Sequence, residues 1–231
     1  MTALALNDLA TRLPSLEGRV AAVSGGAAGA GRASAELLAR LGAAVGVLDL
    51  DGAAAEAVVA GIRDAGGRAL ACVADVASEA DVERAAIALE DRFGSCEALV
   101  NDAEVAPGAP LEELALEDWD RMTEVELTGA FRCMQVFGRR MLARRGGTIV
   151  NICAAAGEGP LDHMPGAAGR TMLSRLGAVE WGARGVRVNS VHAGSGADPL
   201  AVAVAVAFLT GDGSSYVTGE SFEVDEEVRT R

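Results

Sequence analysis

The sequence predicts an α/β fold: one domain on a doubly wound parallel sheet of about seven strands, with helices on both faces. Three observations carry this expectation. Short β-branched or apolar runs alternate with longer helical patterns, which is the βαβα signature of a parallel sheet. A glycine-rich turn joins the first such strand to the first such helix. Finally, 231 residues suffice for one sizeable buried core and do not demand a second, so the domain is taken as residues 1–231.

The strands are expected at residues 19–24, 44–50, 68–74, 98–101, 148–152, 186–191 and 221–225. Apolar residues at helical spacing mark residues 33–41 and a long helix over 119–142, and the crossovers between strands should be right-handed. The run 200–209 alternates small and branched residues, as a strand would. Asp198 can cap a helix there and Pro199 suits a first turn, so a helix is expected instead.

Half of the residues are apolar, with 29 glycines and only six prolines, a balance suited to a packed protein. The formal charge of −13 repels a phosphate backbone, which argues against nucleic acid as a partner. Cys72, Cys96, Cys133 and Cys153 are scattered, with no metal-ligand spacing, and fit free thiols in a reducing compartment, the cytoplasm by default. The first 19 residues lack the basic start and apolar core of a signal peptide, and the apolar run 200–209 is too short for a membrane span. There is no lysine at all and a single tyrosine, Tyr216, so any Tyr-plus-Lys chemistry is excluded; arginine offers a different, planar donor geometry.

The glycine turn reads Ser24-Gly25-Gly26-Ala27-Ala28-Gly29-Ala30-Gly31 and runs into a helical pattern, with Asp49 closing the second strand. Glycines let backbone amides and a helix N-terminus approach a pyrophosphate, and a carboxylate after the second strand can accept from an adenosine ribose. The same glycines also serve close strand-to-helix packing. The spacing resembles the TGxxxGxG loop of the short-chain dehydrogenase/reductase family, with Ser24 in place of Thr. The likeness continues in Asp75-Val76, in 147–152 (Gly-Thr-Ile-Val-Asn-Ile), in 184–190 (Arg-Gly-Val-Arg-Val-Asn-Ser) and in 214–219 (Ser-Ser-Tyr-Val-Thr-Gly). The resemblance implies a Rossmann-like sheet with Gly25, Gly29, Gly31, Asp49, Asp75 and Val76 as dinucleotide-binding positions.

It also implies a catalytic tetrad of Asn, Ser, Tyr and Lys, and here all four positions differ. Aligning 125–129 (Val-Glu-Leu-Thr-Gly) puts Glu126 at Asn; aligning 151–157 puts Ala154 at Ser; aligning 166–170 (Gly-Ala-Ala-Gly-Arg) puts Gly166 at Tyr and Arg170 at Lys. Neither Ala nor Gly offers a titratable group for general acid catalysis. Glu104 stands where the family keeps a glycine beside the cofactor and is expected to obstruct or repel a dinucleotide. Ala193-Gly194 replaces a Pro-Gly, and so few residues separate it from Tyr216 that the substrate lid is expected to be shortened or absent.

These departures lead to the expectation of a pseudoenzyme: no enzyme by itself, its cofactor positions vestigial, no cofactor in this chain. It would be a structural or regulatory subunit of a hetero-oligomer, expected as a heterotetramer, with an active paralogue that carries NAD. The pattern of losses resembles the inactive subunit of a heterotetrameric short-chain dehydrogenase acting on a hydroxyacyl-CoA in anaerobic toluene degradation. Two alternatives stay open, a nucleotide-binding sensor and an enzyme of repurposed, non-redox chemistry using Glu126, Asp162, His163 and Cys153. The plainer reading makes Cys153 a small core side chain, His163 a solvated loop residue and His192 a structural histidine. Glu226 and Glu227 are either a solvated end or part of a partner-facing edge, and Met122, Val125, Phe131, Met134 and Phe137 are apolar candidates for core or subunit contact.

Overall fold

The structure, a computed structural model, describes residues 13–105, 109–110, 112–154, 164–194 and 196–225. Its seven strands are β1 (Val20–Ser24), β2 (Ala44–Asp49), β3 (Arg68–Val73), β4 (Ala98–Asn101), β5 (Gly147–Ala154), β6 (Val186–Ala193) and β7 (Ser221–Val224). They form one sheet in the order β3-β2-β1-β4-β5-β6-β7, every pairing parallel. β1 and β4 are buried at every position, as expected of strands covered by helices on both faces.

The helices are α1 (Gly29–Arg40), α2 (Gly52–Asp64), α3 (Glu79–Phe93), α4 (Leu116–Thr123), α5 (Ala130–Arg144), α6 (Met164–Trp181) and α7 (Pro199–Thr210). Leu37 and Leu38 of α1, Val58 and Ile62 of α2, and Val202, Val206 and Leu209 of α7 share a core on one face of the sheet. Val82 and Leu89 of α3 and Met134, Phe137 and Met141 of α5 pack on the other, where Leu173 and Trp181 of α6 join them. The expected seven-stranded, doubly wound sheet is what forms.

Local chemistry sets the ends. Asp51 and Ser78 cap α2 and α3 by accepting from Ala53 and Ala54 N–H and from Asp81 N–H. Asp198 accepts from Leu200 N–H at 2.9 Å and Pro199 opens α7, so the capping signals prevail over the strand-like alternation of 200–209. β6 ends at Ala193 and α7 begins at Pro199, so no lid helix intervenes.

One expected element is corrected. Residues 119–142 are not one regular helix: α4 and α5 are joined by a π-helical turn, Glu124–Gly129. An i→i+5 turn shifts the faces that follow it, which apolar spacing at 3.6 residues does not reveal. Here the shift buries Val125, Glu126 and Gly129 together. Gly129 lies so close to β3's exit that a Cβ there would stand 2.6 Å from Val76 Cγ2. The helix expected at 33–41 starts earlier, at Gly29, because the glycine turn itself supplies its first residues.

Candidate functional site

In an open parallel sheet, ligands bind beyond the carboxyl ends of the strands where the strand order reverses, here between β1 and β4. The turn after β1 is built for close approach of backbone. Gly25 has φ +66, and a Cβ on it would lie 2.7 Å from Ala103 N and from the Asp102 carbonyl. A Cβ on Gly31 would overlap the Gly25 carbonyl and stand 2.8 Å from Asp102 Oδ2. Asp102 accepts a hydrogen bond from Gly31 N–H, which ties the end of β4 to the first turn of α1.

Asp49 closes β2 half-buried and accepts from Ala27 N–H at 3.1 Å and from Asp51 N–H at 3.0 Å. Asp75 accepts from Ala77 N–H at 2.9 Å and pairs with Arg121 at 3.2 Å. Gly25, Asp49, Asp75, Val76 and Glu104 line one cavity of about 120 Å³ at this edge. Gly29 and Gly31 lie just beyond it at the start of α1. The six dinucleotide positions expected from the sequence therefore converge on one end of the sheet. Larger cavities, of about 530 and 540 Å³, lie elsewhere; the first is lined by Arg19, Arg144 and Arg187 at the opposite ends of the strands, away from these groups.

The second half of the cleft is assembled from the π-helical turn, β5 and α6. Gly166 and Arg170 lie one turn apart on α6 and so share a face. Glu126, fully buried, projects into the space above Gly166: a Cβ on Gly166 would overlap Glu126 Oε2 and stand 2.7 Å from the Glu126 Cβ. Arg170, also buried, faces the same carboxylate, Nη2 to Oε2 4.0 Å, and its Nε–H finds no hydrogen-bond acceptor among the described residues. Val105 N–H reaches Glu126 Oε1 at 3.4 Å. Ala154 ends β5 with no polar side-chain group to offer. Three of the four positions aligned with the tetrad, Glu126, Gly166 and Arg170, are thus one structural unit: a carboxylate occupies the space beside Gly166, with a guanidinium against it.

A polar chain joins the two halves and was missed from sequence. Ser24 donates to Asn101 Oδ1 at 3.3 Å, Asn101 Nδ2 to Asn151 Oδ1 at 2.8 Å, Asn151 Nδ2 to Ser174 at 2.8 Å, and Ser174 to the Arg170 carbonyl at 2.9 Å. Asn101 and Asn151 are register partners on β4 and β5. A Val-Asn pair ending two successive strand patterns was the available signal.

Electrostatics single out Asp102: loss of water on burial and the nearby Glu104 carboxylate raise its carboxyl to about 8, against the pull of Arg170 and the Gly31 N–H. Burial likewise raises the Cys153 thiol and lowers His192, which holds Thr171 Oγ1 at 3.2 Å. A buried thiol of raised pKa is no ready nucleophile, in keeping with Cys153 as a core side chain. All four cysteines are buried and free. Tyr216 lies fully exposed in the turn before β7, remote from the cleft. Asp162, His163, Glu226 and Glu227 lie outside the described residues. Met122, Val125, Met134 and Phe137 are core, whereas Phe131 is exposed. Among the described residues, no helix is long and apolar enough to cross a membrane.

Residues 19–203 match the family model described as short chain dehydrogenase. The chain is 37% identical to D-threitol dehydrogenase of Mycolicibacterium smegmatis, over 91% of this chain and 92% of that protein. It is 31% identical to the (2S)-[(R)-hydroxy(phenyl)methyl]succinyl-CoA dehydrogenase subunit BbsD of Thauera aromatica, over 89% and 94%. A solved dehydrogenase/reductase from Sinorhizobium meliloti 1021 superposes with a TM-score of 0.84 at 29% identity, over 97% of this chain and 98% of that one.

These findings overturn two expectations. The chain was expected to be no enzyme by itself, yet relatives matching it nearly end to end are named dehydrogenases. It was expected to bind no cofactor, yet dehydrogenases of this kind carry the nicotinamide dinucleotide in the same chain. Glu104, expected to obstruct a dinucleotide, is exposed and lines the cavity together with Gly25, Asp49, Asp75 and Val76.

Proposed function

Because the chain belongs to the short-chain dehydrogenase family, we propose that it is an NAD-dependent oxidoreductase interconverting a secondary alcohol and a ketone, and that it works beside a paralogous short-chain subunit in a hetero-oligomer. The observation that carries this reading is the cleft after β1, β2 and β3, where Gly25, Asp49, Asp75 and Val76 meet around one cavity beside the N-terminus of α1.

The residues present fit a nicotinamide dinucleotide. Gly25 and Gly31 leave a backbone cradle that a Cβ would fill, and Arg170 keeps a buried, unused Nε–H at the far end. The amides opening α1 favour pyrophosphate oxygens. Asp49 spends two acceptor sites on Ala27 and Asp51 and retains others for ribose hydroxyls, while its charge disfavours the 2′-phosphate of NADP. Asp75 and Val76, on the wall of the same cavity, would hold the adenine. Bound there, the dinucleotide supplies the hydride chemistry.

A hydroxyacyl-CoA-type secondary alcohol is supported by the relative from Thauera aromatica, whose name also makes it a subunit. A hetero-oligomer is further supported by Met172, Leu176 and Val179, exposed at spacings of four and three along α6, with Phe131 exposed on α5. Calorimetry on the purified chain tests the reading first: NAD should bind at least ~10-fold tighter than NADP, about 1.4 kcal/mol. Turnover of hydroxyacyl-CoA thioesters, followed at the NADH absorbance, and native mass spectrometry with the paralogue test the rest. A chain that binds neither dinucleotide would overturn it.

A further inference from the structure

We infer that Glu126, opposite Arg170, is the group that takes the hydroxyl proton of the alcohol. The inference rests on the oxidoreductase reading above and assigns the acid–base role within it to a residue at another position. Its basis is the exchange of volume at Gly166. A side chain on α6 at that position would enter the cleft, and the space it would need is taken by the Glu126 carboxylate, which overlaps even the first carbon of such a side chain. The π-helical turn delivers it there, since a regular helix through 124–129 would place residue 126 on another face. Arg170, one turn beyond Gly166, puts a guanidinium 4.0 Å from the same oxygen.

Neither half of this arrangement is explained by packing alone. Burying a carboxylate and a guanidinium at 0% and 2% exposure loses hydration that their attraction repays only in part, and an apolar pair would cost less. The pair stands at the carboxyl ends of β4 and β5, where ligands bind in such sheets. Buried charges at a cleft are characteristic of groups that handle protons.

The step balances. As the carbinol C–H bond breaks, its hydrogen and both electrons go to oxidised nicotinamide dinucleotide; the O–H bond breaks with its electron pair forming the carbonyl, and the proton goes to a Glu126 oxygen. Water later removes that proton. Arg170 orients the carboxylate and acts as a positioning residue. Among the described residues, the other titratable groups around the pair are Asp102 and Glu104 after β4, Cys153 on β5 and His192 on β6, each coupled electrostatically to Arg170 or to one another.

The test uses the full chain, in its assembly if it forms one. Glu126→Gln should lower kcat/KM about 10²–10⁴-fold, the usual contribution of a positioned acid or base, while NAD binding measured by fluorescence changes less than about threefold. Its pH profile should lose the limb present in the native protein. Glu126→Asp, which keeps a carboxylate, should restore part of the rate and the limb. Infrared difference spectra on adding NAD and the alcohol should show a carboxyl band that Glu126→Gln removes. Native turnover with Glu126→Gln within about threefold of it overturns the inference and leaves the oxidoreductase reading standing. Absence of dinucleotide binding in the native chain defeats both. Should Glu126→Gln fail to fold, the Asp variant and the infrared band of the native protein decide.

Discussion

The two halves of the cleft are made of the same kind of structure, strand ends and helix starts on one parallel sheet, and they are built in opposite ways. On the β1–β2–β3 side, backbone does the work: Gly25 and Gly31 bring main-chain atoms together so closely that any side chain would collide with another backbone, and Asp102 fastens the turn through Gly31 N–H. On the β4–β5–α6 side, side chains do the work, and one can stand in for another so long as volume and charge are kept. Glu126 fills what Gly166 vacates, and Arg170 remains beside it. A site made of backbone tolerates little change of residue, whereas one made of side chains can keep its volume with different residues at each position. This contrast is why a reading of the tetrad positions one at a time registers only losses.

The sharpest way to break the comparison is to remove one partner of the side-chain half. Arg170→Met leaves a fully buried carboxylate without its guanidinium and should cost about 3–5 kcal/mol in urea unfolding, with much of it recovered when Glu126→Gln is added. A cost below about 1 kcal/mol would show that Glu126 is not held as a charged partner of Arg170.

A second test lies at the seam, on Asp102. Its carboxyl is ionised in the unfolded chain above the ordinary value near 3.8 but stays protonated in the folded one up to about 8. Between those limits unfolding releases a proton, so this group's contribution to stability is full at low pH, falls as pH rises through the window, and is gone above it. Asp102→Asn retains an acceptor for Gly31 N–H and should flatten that decline, so its unfolding midpoint should overtake the native protein's as pH passes 8. Parallel pH profiles would show that the seam is not charged as described.

Much of the backbone half was legible in the sequence because its signals are local. The glycine turn, the strand-closing Asp49 and the Asp198-Pro199 start of α7 each act within a few residues, and seven strand patterns sufficed for the sheet. The side-chain half was not, because its meaning lies between residues far apart in the chain. Glu126 and Gly166 are both visible as departures, but that one fills the other's space depends on a π-helical turn that apolar periodicity cannot register. Likewise Glu104 is legible only as a departure, and its exposure on the wall of the cavity needs the fold. The Asn101–Asn151 bond across β4 and β5 needs the strand register, which the sequence shows only as two similar strand ends.

The smallest effect expected tests whether the two halves are also separable in energy. α7 packs in the same core as α1, with Val202, Val206 and Leu209 beside Leu37 and Leu38, although it leaves β6 on the other side of the sheet's switch point. Asp198→Ala removes the acceptor of Leu200 N–H while Pro199 continues to favour the first turn, so the loss should be about 1 kcal/mol. That is enough to fray the first turn of α7 but not to move Gly31, whose position is set by contacts with Gly25 and Asp102. NAD affinity measured by calorimetry should therefore change less than about twofold, well inside the spread of a single weak contact. A larger loss of affinity at so small a loss of stability would mean that α7 transmits strain through the core to α1, and that the backbone half depends on the side-chain half for its shape.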